Sequence, residues 1–169
     1  MKRPLDVVGA GLLALVASPL LAALAAAVRL TMGRPVLYRQ VRTGRDGRPF
    51  TLLKLRTMRP PAAGTTDDAA RLTRLGRWLR ALSLDELPQL WNVLRGDMSL
   101  VGPRPLLPAY LPRYTPEQAR RHLVRPGLTG LAQVSGRNAL SWEERFALDV
   151  RYVDTQRLAL DLWILCQTL

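Results

Sequence analysis

Hydrophobic residues are concentrated at the start of the chain. No residue from Val7 to Val28 is charged, and nearly all of these positions are Leu, Ala, Val or Gly. Because a helix rises about 1.5 Å per residue, this segment is long enough to cross the hydrocarbon core of a bilayer. A cleaved signal peptide is disfavoured, because Pro4, Leu5 and Asp6 interrupt the basic start that such a peptide would have. The pattern therefore predicts a membrane helix.

Two features leave the topology of this helix open between a simple span and a re-entrant hairpin. Ser18 and Pro19 lie near its middle, where proline removes a backbone hydrogen bond and bends the helix, while the Ser18 hydroxyl can bond a freed carbonyl. Basic residues flank both ends, and such flanks favour the cytoplasmic side. A straight span cannot keep both ends there, whereas a helix bent at Ser18-Pro19 can. From the residues alone we give the two topologies equal weight.

Alternation of polar and apolar residues predicts a β-hairpin over residues 35–58. The first strand begins at Val36, the turn falls at residues 46–47, and the second strand runs over residues 50–58. A period of two places three side chains on one face of the second strand: Leu52, Lys54 and Arg56.

Periodicity and capping patterns predict helices in much of the remaining chain. Residues 71–82 have a basic face and an apolar face at helical spacing. Residues 115–118 mark a helix start, and residues 141–144 form a capping box for a helix that runs through Tyr152. Residues 158–169 are amphipathic and suit either the domain surface or a membrane interface. The chain is therefore predicted to be an α+β protein that is mostly helical.

The net charge of +12 points to an anionic partner, which is phosphate, nucleic acid or an acidic membrane surface. The single cysteine, Cys166, excludes an internal disulfide and a cysteine-cluster metal site. The single histidine, His122, is predicted to be a surface residue on a helix. The sequence offers no Ser-His-Asp or Cys-His set to assemble around it. A Mg²⁺ site built from carboxylates and substrate phosphates is allowed.

The adjacent carboxylates Asp85 and Glu86 have either a structural role or a catalytic role. In the structural one, Ser83 caps a helix and Glu86 answers it in a capping box, with Pro88 in the first turn. In the functional one, an ionised Asp85 attacks phosphorus and forms an acyl phosphate, which requires a divalent cation and basic residues to neutralise charge. Both interpretations stay open on the residues alone. The candidate basic residues are Lys54, Arg56, Arg104, Arg125 and Arg137.

The run from Ser83 to Pro105 resembles the signature of the bacterial sugar transferases, which are small monotopic phosphoglycosyl transferases. The resemblance extends along the chain through shorter motifs, which are residues 2–6, 18–19, 40–44, 50–58, 126–133, 136–138 and 161–165. It implies transfer of a sugar 1-phosphate from a UDP-sugar to a polyprenol phosphate, usually undecaprenyl phosphate, with release of UMP. The alternative of a membrane-anchored binder of nucleic acid or acidic lipid lacks any recognisable nucleic-acid module.

The same resemblance implies roles for individual residues. Asp85 is the nucleophile that carries a covalent phosphosugar, and it contributes with substrate phosphates to a Mg²⁺ site. Glu86 is its partner as a general base or as support for the metal. Lys54 lies near the site, and Arg104 and Arg137 match positions associated with the phosphates or the nucleotide. Asp161 matches an acidic position of uncertain role.

The architecture implied by the resemblance has two parts. Residues 1–34 form a re-entrant membrane hairpin broken at Ser18-Pro19, and residues 35–169 form a small catalytic domain with a β-hairpin and amphipathic interfacial helices. This domain lies on the cytoplasmic face of the bacterial inner membrane. The implied role is the first membrane step in making a capsule, exopolysaccharide, O-antigen or glycoprotein. The sequence leaves open which sugar is used and whether the protein forms a homo-oligomer.

Overall fold

The structure is a computed structural model that describes residues 2–60, 68–136 and 139–168. The predicted membrane helix is α1 (Lys2–Met32), and it is long and apolar enough to cross a membrane. Helical structure runs through Ser18 and Pro19, so the predicted break is not an interruption of the helix. Pro19 has no N–H to donate to the Leu15 carbonyl. The Ser18 hydroxyl donates to that carbonyl instead, at 2.8 Å, as predicted.

The N-terminal end of α1 is attached to the rest of the fold by charged groups. Lys2 Nζ lies 2.5 Å from Asp161 Oδ2. Asp6 is buried, and its carboxylate accepts hydrogen bonds from Ser99 Oγ at 2.9 Å and from the Leu100 backbone N–H at 3.0 Å. These contacts tie the start of α1 to two elements that lie far away in sequence.

The C-terminal end of α1 also packs on the folded domain. Arg56 Nη2 donates to the carbonyl of Met32, the last residue of α1, at 2.5 Å. Nearby, side chains from α1, the hairpin and the helix Arg74–Ala81 form one buried cluster, which contains Leu24, Val28, Leu55 and Leu79. Both ends of the apolar helix therefore contact the same folded unit, while the side chains around its middle are largely exposed.

The predicted hairpin is present. Strands β1 (Leu37–Thr43) and β2 (Pro49–Leu55) pair antiparallel, with Tyr38 opposite Lys54 and a short 3-10 helix, Arg45–Gly47, at the turn. The second strand ends earlier than predicted because Met58 leaves the hairpin and forms an isolated bridge with Leu72.

Helices account for most of the remaining described chain, with bounds α2 (Asp68–Arg71), α3 (Arg74–Ala81), α4 (Gln89–Arg95), α5 (Pro116–Ala119), α6 (Leu131–Ser135), α7 (Trp142–Thr155) and α8 (Leu158–Thr168). Short 3-10 helices cover Leu84–Glu86, Pro108–Arg113 and Arg120–Leu123.

Two predicted helix N-termini are confirmed, and one predicted helix is interrupted in the structure. Capping boxes begin α5 at Thr115 and α7 at Ser141, as predicted. The single helix predicted over residues 71–82 is wrong, because Thr73 interrupts it and caps α3 by accepting from the Gly76 backbone N–H. Leu82, the last residue of the predicted helix, is exposed beyond the end of α3.

Strands β3 (Ser99–Val101) and β4 (Gly127–Thr129) pair in parallel and bring two rigid turns together. The turn after β3 contains Gly102 and Arg104, and the turn before β4 contains Arg125. A Cβ atom on Gly127 would lie 2.1 Å from the Gly102 backbone nitrogen, so this approach excludes any side chain. The glycines therefore permit the backbone contact that fixes the position of the Arg104 turn.

The main hydrophobic core joins α1 to the hairpin, α4, β3, α7 and α8. Its buried members include Ala10, Leu52, Val93, Met98, Tyr152 and Ile164. Since α1 also contributes to the second cluster, this helix belongs to the core at both of its ends. The predicted domain boundary after residue 34 stays a prediction.

Candidate active site

The two neighbouring carboxylates lie in the 3-10 helix Leu84–Glu86, between α3 and α4. The predicted capping box is wrong: Ser83 adopts a left-handed backbone conformation and its side chain caps nothing. Glu86 instead faces two cations, whose charge-assisted hydrogen bonds are stronger than a bond to a neutral backbone N–H. Pro88 occupies the N-cap position of α4, next to its predicted place in the first turn.

Glu86 is held by residues from two other parts of the fold. Lys54 Nζ on β2 lies 2.6 Å from Glu86 Oε1, and Arg104 Nη2 on the turn after β3 lies 2.8 Å from the same oxygen. Burial raises the pKa of this carboxyl, but Arg104 and Lys54 together exceed that effect and lower it below its usual value. Glu86 is therefore held ionised in a fixed position.

Asp85 has the opposite electrostatic character. Its side chain is buried, with 6% of the residue exposed, and its Oδ2 lies 3.8 Å from Lys54 Nζ. Burial is the largest effect and raises the pKa of Asp85, with a further increase from Glu86, while Lys54 and Arg80 oppose it. The pKa values of the two adjacent carboxyls are thus shifted in opposite directions. Such opposite shifts are typical of sites in which two acids have different roles.

A cleft of about 1190 Å³ surrounds this pair. One face of the hairpin lines it with Tyr38, Gln40, Arg42 and Lys54, which the strand register places side by side. Arg42 donates to Gln40 Oε1 at 2.6 Å and to the Pro105 carbonyl at 3.3 Å, so it ties the hairpin to the Arg104 turn. Tyr38, Gln40 and Arg42 were not predicted as site residues, although strand alternation with Lys54 offered the signal.

A buried ion pair supports the backbone of the Arg104 turn. Arg121 is 3% exposed and donates to Asp149 Oδ2 on α7 at 2.7 Å and 3.0 Å. The same guanidinium donates to the Arg104 carbonyl at 2.8 Å and to the Tyr114 hydroxyl at 3.2 Å. The sequence offered no local signal for this pair, because it depends on contacts between distant segments.

His122 is buried rather than exposed, and it lies in a 3-10 helix, so its predicted surface position is wrong. Its ring packs edge-on against Tyr114 with centroids 5.3 Å apart. Burial, and then the positive charge of Arg121, lower the pKa of His122 to about 4. The imidazole is therefore neutral near pH 7 and acts as a packing residue.

The other predicted basic residues have different surroundings. Arg56 borders the cleft, but its guanidinium donates to the carbonyls of Met32, Pro35 and Met58, so it closes the end of α1. Arg125 donates to the Gly96 carbonyl at 2.9 Å, at the end of α4. Arg137 lies outside the described residues.

Asp161, the acidic residue of uncertain role, lies at the attachment of α1. Its Oδ1 is 2.6 Å from the Tyr152 hydroxyl, and its Oδ2 binds Lys2. Asp161 therefore belongs to a network that joins α1, α7 and α8. Of the predicted basic residues that the structure describes, Lys54 and Arg104 form ion pairs with the carboxylate pair.

The carboxylate pair fits a Mg²⁺ ion of the kind that also uses substrate oxygens. Within the described ranges, no group of three or more His, Cys, Asp or Glu side chains could hold a metal. Mg²⁺ is usually bound by one or two carboxylates together with phosphates and water. Asp85 and Glu86 can supply that carboxylate share, and the rest would come from a phosphorylated ligand.

Comparison with known proteins places the chain in a family. The family model described as bacterial sugar transferase matches residues 1–169. The chain is 55% identical to an uncharacterized sugar transferase, EpsL, of Bacillus subtilis, over 99% of this chain and 85% of that protein. It is 49% identical to the UDP-glucose:undecaprenyl-phosphate glucose-1-phosphate transferase of Caulobacter vibrioides, over 99% of this chain and 67% of that protein. It is 39% identical to the exopolysaccharide production protein ExoY of Rhizobium meliloti, over 99% of this chain and 83% of that protein.

This protein therefore belongs to the bacterial sugar transferase family. The family resemblance seen in the sequence is confirmed, as is the prediction of a transferase enzyme. The long apolar α1, together with the family, indicates a membrane location.

The buried Arg121–Asp149 ion pair yields a stability prediction. Asp149→Asn leaves the Arg121 charge buried without a counterion, so we expect the free energy of unfolding to fall by about 3–5 kcal/mol. Denaturant unfolding of the protein in detergent, followed by circular dichroism, measures this change. Glu117→Gln is the control, because its partner Arg120 is exposed to solvent and we expect little change. Equal stability of the two variants would contradict the structural role of the Arg121–Asp149 pair.

Proposed function

We propose that this protein transfers a sugar 1-phosphate from a UDP-sugar to a polyprenyl phosphate such as undecaprenyl phosphate, releasing UMP. The observation that carries this proposal is the arrangement of the carboxylate pair: Asp85 is buried beside the cleft with Lys54 3.8 Å away, next to a Glu86 that Lys54 and Arg104 hold by short ion pairs. The printed activities of the Caulobacter relative and of an undecaprenyl-phosphate glucose phosphotransferase of Komagataeibacter xylinus support the same reaction.

The reaction proceeds in two displacements at one phosphorus atom. In the first, an Asp85 carboxylate oxygen attacks the phosphorus that bears the sugar, the bond to UMP breaks, and UMP leaves with the bridging oxygen. In the second, a phosphate oxygen of the polyprenyl phosphate attacks the same phosphorus. The bond to Asp85 then breaks, and the products are a polyprenyl diphosphate sugar and the free carboxylate. The raised pKa of Asp85 suits this role, because a more basic carboxylate is the better nucleophile.

The residues around Asp85 reduce the repulsion between an anionic nucleophile and an anionic diphosphate. Lys54 lies within reach of both carboxylates, and Arg104 is half-exposed toward the cleft, where it can meet a phosphate. Glu86 fixes the position of both cations. A Mg²⁺ ion held by Asp85 and Glu86 would supply further charge neutralisation at the diphosphate when bound.

The proposed topology of α1 is a re-entrant helix that enters and leaves through the cytoplasmic leaflet, with the remainder of the chain on the cytoplasmic side. Two observations support it: both ends of α1 pack on the same folded unit, and its apolar middle is exposed. Pro19 lies in that middle, where a bend allows both ends to return to one surface.

This topology is tested with single cysteines at Pro4 and Leu30, in a Cys166→Ser background, on oriented membrane vesicles. We expect an impermeant thiol reagent to label both positions from the same side. Labelling from opposite sides would refute the re-entrant topology.

The reaction would begin the assembly of a lipid-linked glycan. Relatives include ExoY, which is named for exopolysaccharide production, so we propose an exopolysaccharide or a related cell-surface glycan as the product.

The nucleophile is tested by Asp85→Asn. We expect release of UMP from a UDP-sugar in the presence of undecaprenyl phosphate and Mg²⁺ to fall by about a thousandfold or more, because an amide cannot form the acyl phosphate. Asp46→Asn, which changes an exposed carboxylate at the hairpin turn, serves as the control and retains activity. Turnover at the native rate in Asp85→Asn would refute the assignment of Asp85 as the nucleophile.

The electrostatic role of Lys54 is tested through the pH dependence of the reaction. Activity requires ionised Asp85 and falls as the pH drops through its pKa. Because Lys54 opposes the raised pKa, Lys54→Met should move the acidic limb of the kcat/KM profile to higher pH. Lys54→Arg retains the charge and should leave the limb near its native position. An acidic limb that does not move in Lys54→Met would show that Lys54 does not set the ionisation of Asp85.

A further inference from the structure

Two polar side chains that line the cleft hold buried atoms without a hydrogen-bond partner among the described residues. On α6, both amide atoms of Gln133, Oε1 and Nε2, are unpaired, and on α7 the Nε of Arg145 is unpaired. Buried polar atoms in folded proteins are nearly always paired, because an unpaired atom loses its hydration without gaining a bond. Since α6 and α7 contact each other, the unused hydrogen-bonding capacity is concentrated in one part of the cleft.

The Gln133 amide lies beside the turn that presents Arg104 to the cleft. A Cβ atom added to Gly130 would lie 2.8 Å from Gln133 Oε1 and 2.1 Å from the Gly102 carbonyl oxygen, at the start of that turn. The missing side chain of Gly130 therefore leaves room for the amide. Because no described residue bonds the amide there, a rotation of the end of the side chain toward the cleft breaks no hydrogen bond.

The Arg145 guanidinium is positioned by an aromatic ring. It lies over the Trp142 ring, 5.1 Å from the centroid, and Trp142 also lines the cleft. Such stacking leaves the in-plane N–H groups of a guanidinium free to donate. Arg145 is one helical turn before Asp149, whose partner Arg121 donates to the backbone of the Arg104 turn. The same side of α7 therefore carries Arg145 and the aspartate that supports this turn.

The three unpaired atoms are the complement of one edge of uracil. Gln133 Nε2 and Arg145 Nε are donors, and Gln133 Oε1 is an acceptor. The Watson–Crick edge of uracil carries two carbonyl oxygens with one N–H between them, so each of its polar groups finds a partner. The nearby Arg104 is half-exposed and carries the positive charge that a nucleotide phosphate requires.

We propose that Gln133 and Arg145 select the nucleotide of the donor by pairing with the Watson–Crick edge of its uracil base. This proposal rests on the proposed function, in which the donor is a UDP-sugar. The base is remote from the reacting phosphorus, so these residues bind the ground state and the transition state equally. They therefore set the KM for the donor and have little effect on kcat.

The pairing is tested by calorimetric titration of the protein in detergent with UMP and with N3-methyl-UMP, in which a methyl group replaces the N–H. We expect the native protein to bind N3-methyl-UMP at least about tenfold more weakly, because the analogue leaves a buried acceptor unpaired. In Gln133→Leu the two nucleotides should bind within about threefold of each other, because the partner of the N–H is absent. Neither nucleotide contains the transferred sugar, so the comparison separates recognition of the base from recognition of that sugar.

Matched controls come from α7 and α8. Arg151→Met and Gln167→Leu change exposed side chains that do not line the cleft, and both should keep the native affinity for UMP. Arg145→Met should weaken UMP binding but preserve the preference over the N3-methyl analogue, because Gln133 remains. The loss of affinity for 2′-deoxy-UMP should be the same in the native protein and in Gln133→Leu, because this analogue alters the ribose alone.

A purely structural role of Gln133 makes a different prediction. An amide without a partner contributes no hydrogen bond to the fold, so Gln133→Leu should unfold at a temperature no lower than that of the native protein. Lower thermal stability together with loss of UMP binding would overturn the proposal. Equal binding of UMP and N3-methyl-UMP by the native protein would also overturn it, while continued release of UMP from a UDP-sugar would leave the proposed function standing. Absence of that release with every UDP-sugar would refute the proposed function itself.

Discussion

The candidate active site depends on the ion pairs that Glu86 forms with Lys54 and Arg104. These bonds join three segments that are distant in sequence: the second hairpin strand, the 3-10 helix after α3 and the turn after β3. They also lower the pKa of Glu86, whereas burial raises the pKa of Asp85, whose ion pair with Lys54 is longer at 3.8 Å. The different surroundings of the two carboxylates are a consequence of where the cations are placed.

The apolar helix α1 is part of the same arrangement. Asp6 on α1 binds Ser99 and Leu100 of β3, and the Arg104 turn follows β3 directly. Arg121, which is paired with Asp149, donates to the Arg104 carbonyl in this turn. The position of Arg104 beside Glu86 therefore depends on both the attachment of α1 and a buried ion pair. This continuity places the charged site beside the apolar helix α1.

Local patterns in the sequence predicted local structure well. The capping boxes at Thr115 and Ser141 are confirmed because their partners lie three residues away. The same pattern failed at Ser83, where cations from distant segments compete for Glu86. Strand alternation placed Lys54 on a defined face, and the cleft-lining residues of the facing strand follow from the same rule.

Contacts between distant segments were the part that the sequence could not predict. His122 is buried, and Arg56 and Arg125 bind backbone carbonyls at helix ends, although each is an ordinary polar residue in its local sequence. The ion pair of Arg121 with Asp149 likewise exists only after folding. The family resemblance favoured the prediction that Asp85 is a nucleophile, for which the residues alone left two interpretations open.

The central claim is that Asp85 carries the sugar phosphate between donor and acceptor. Intact-mass and peptide mass spectrometry of the protein incubated with a UDP-sugar and Mg²⁺, without acceptor, tests it most directly. The account predicts a mass increase equal to one sugar phosphate on the peptide that contains Asp85, and loss of this adduct when undecaprenyl phosphate is added. Full turnover with no adduct on that peptide, or an adduct that undecaprenyl phosphate does not discharge, would contradict it.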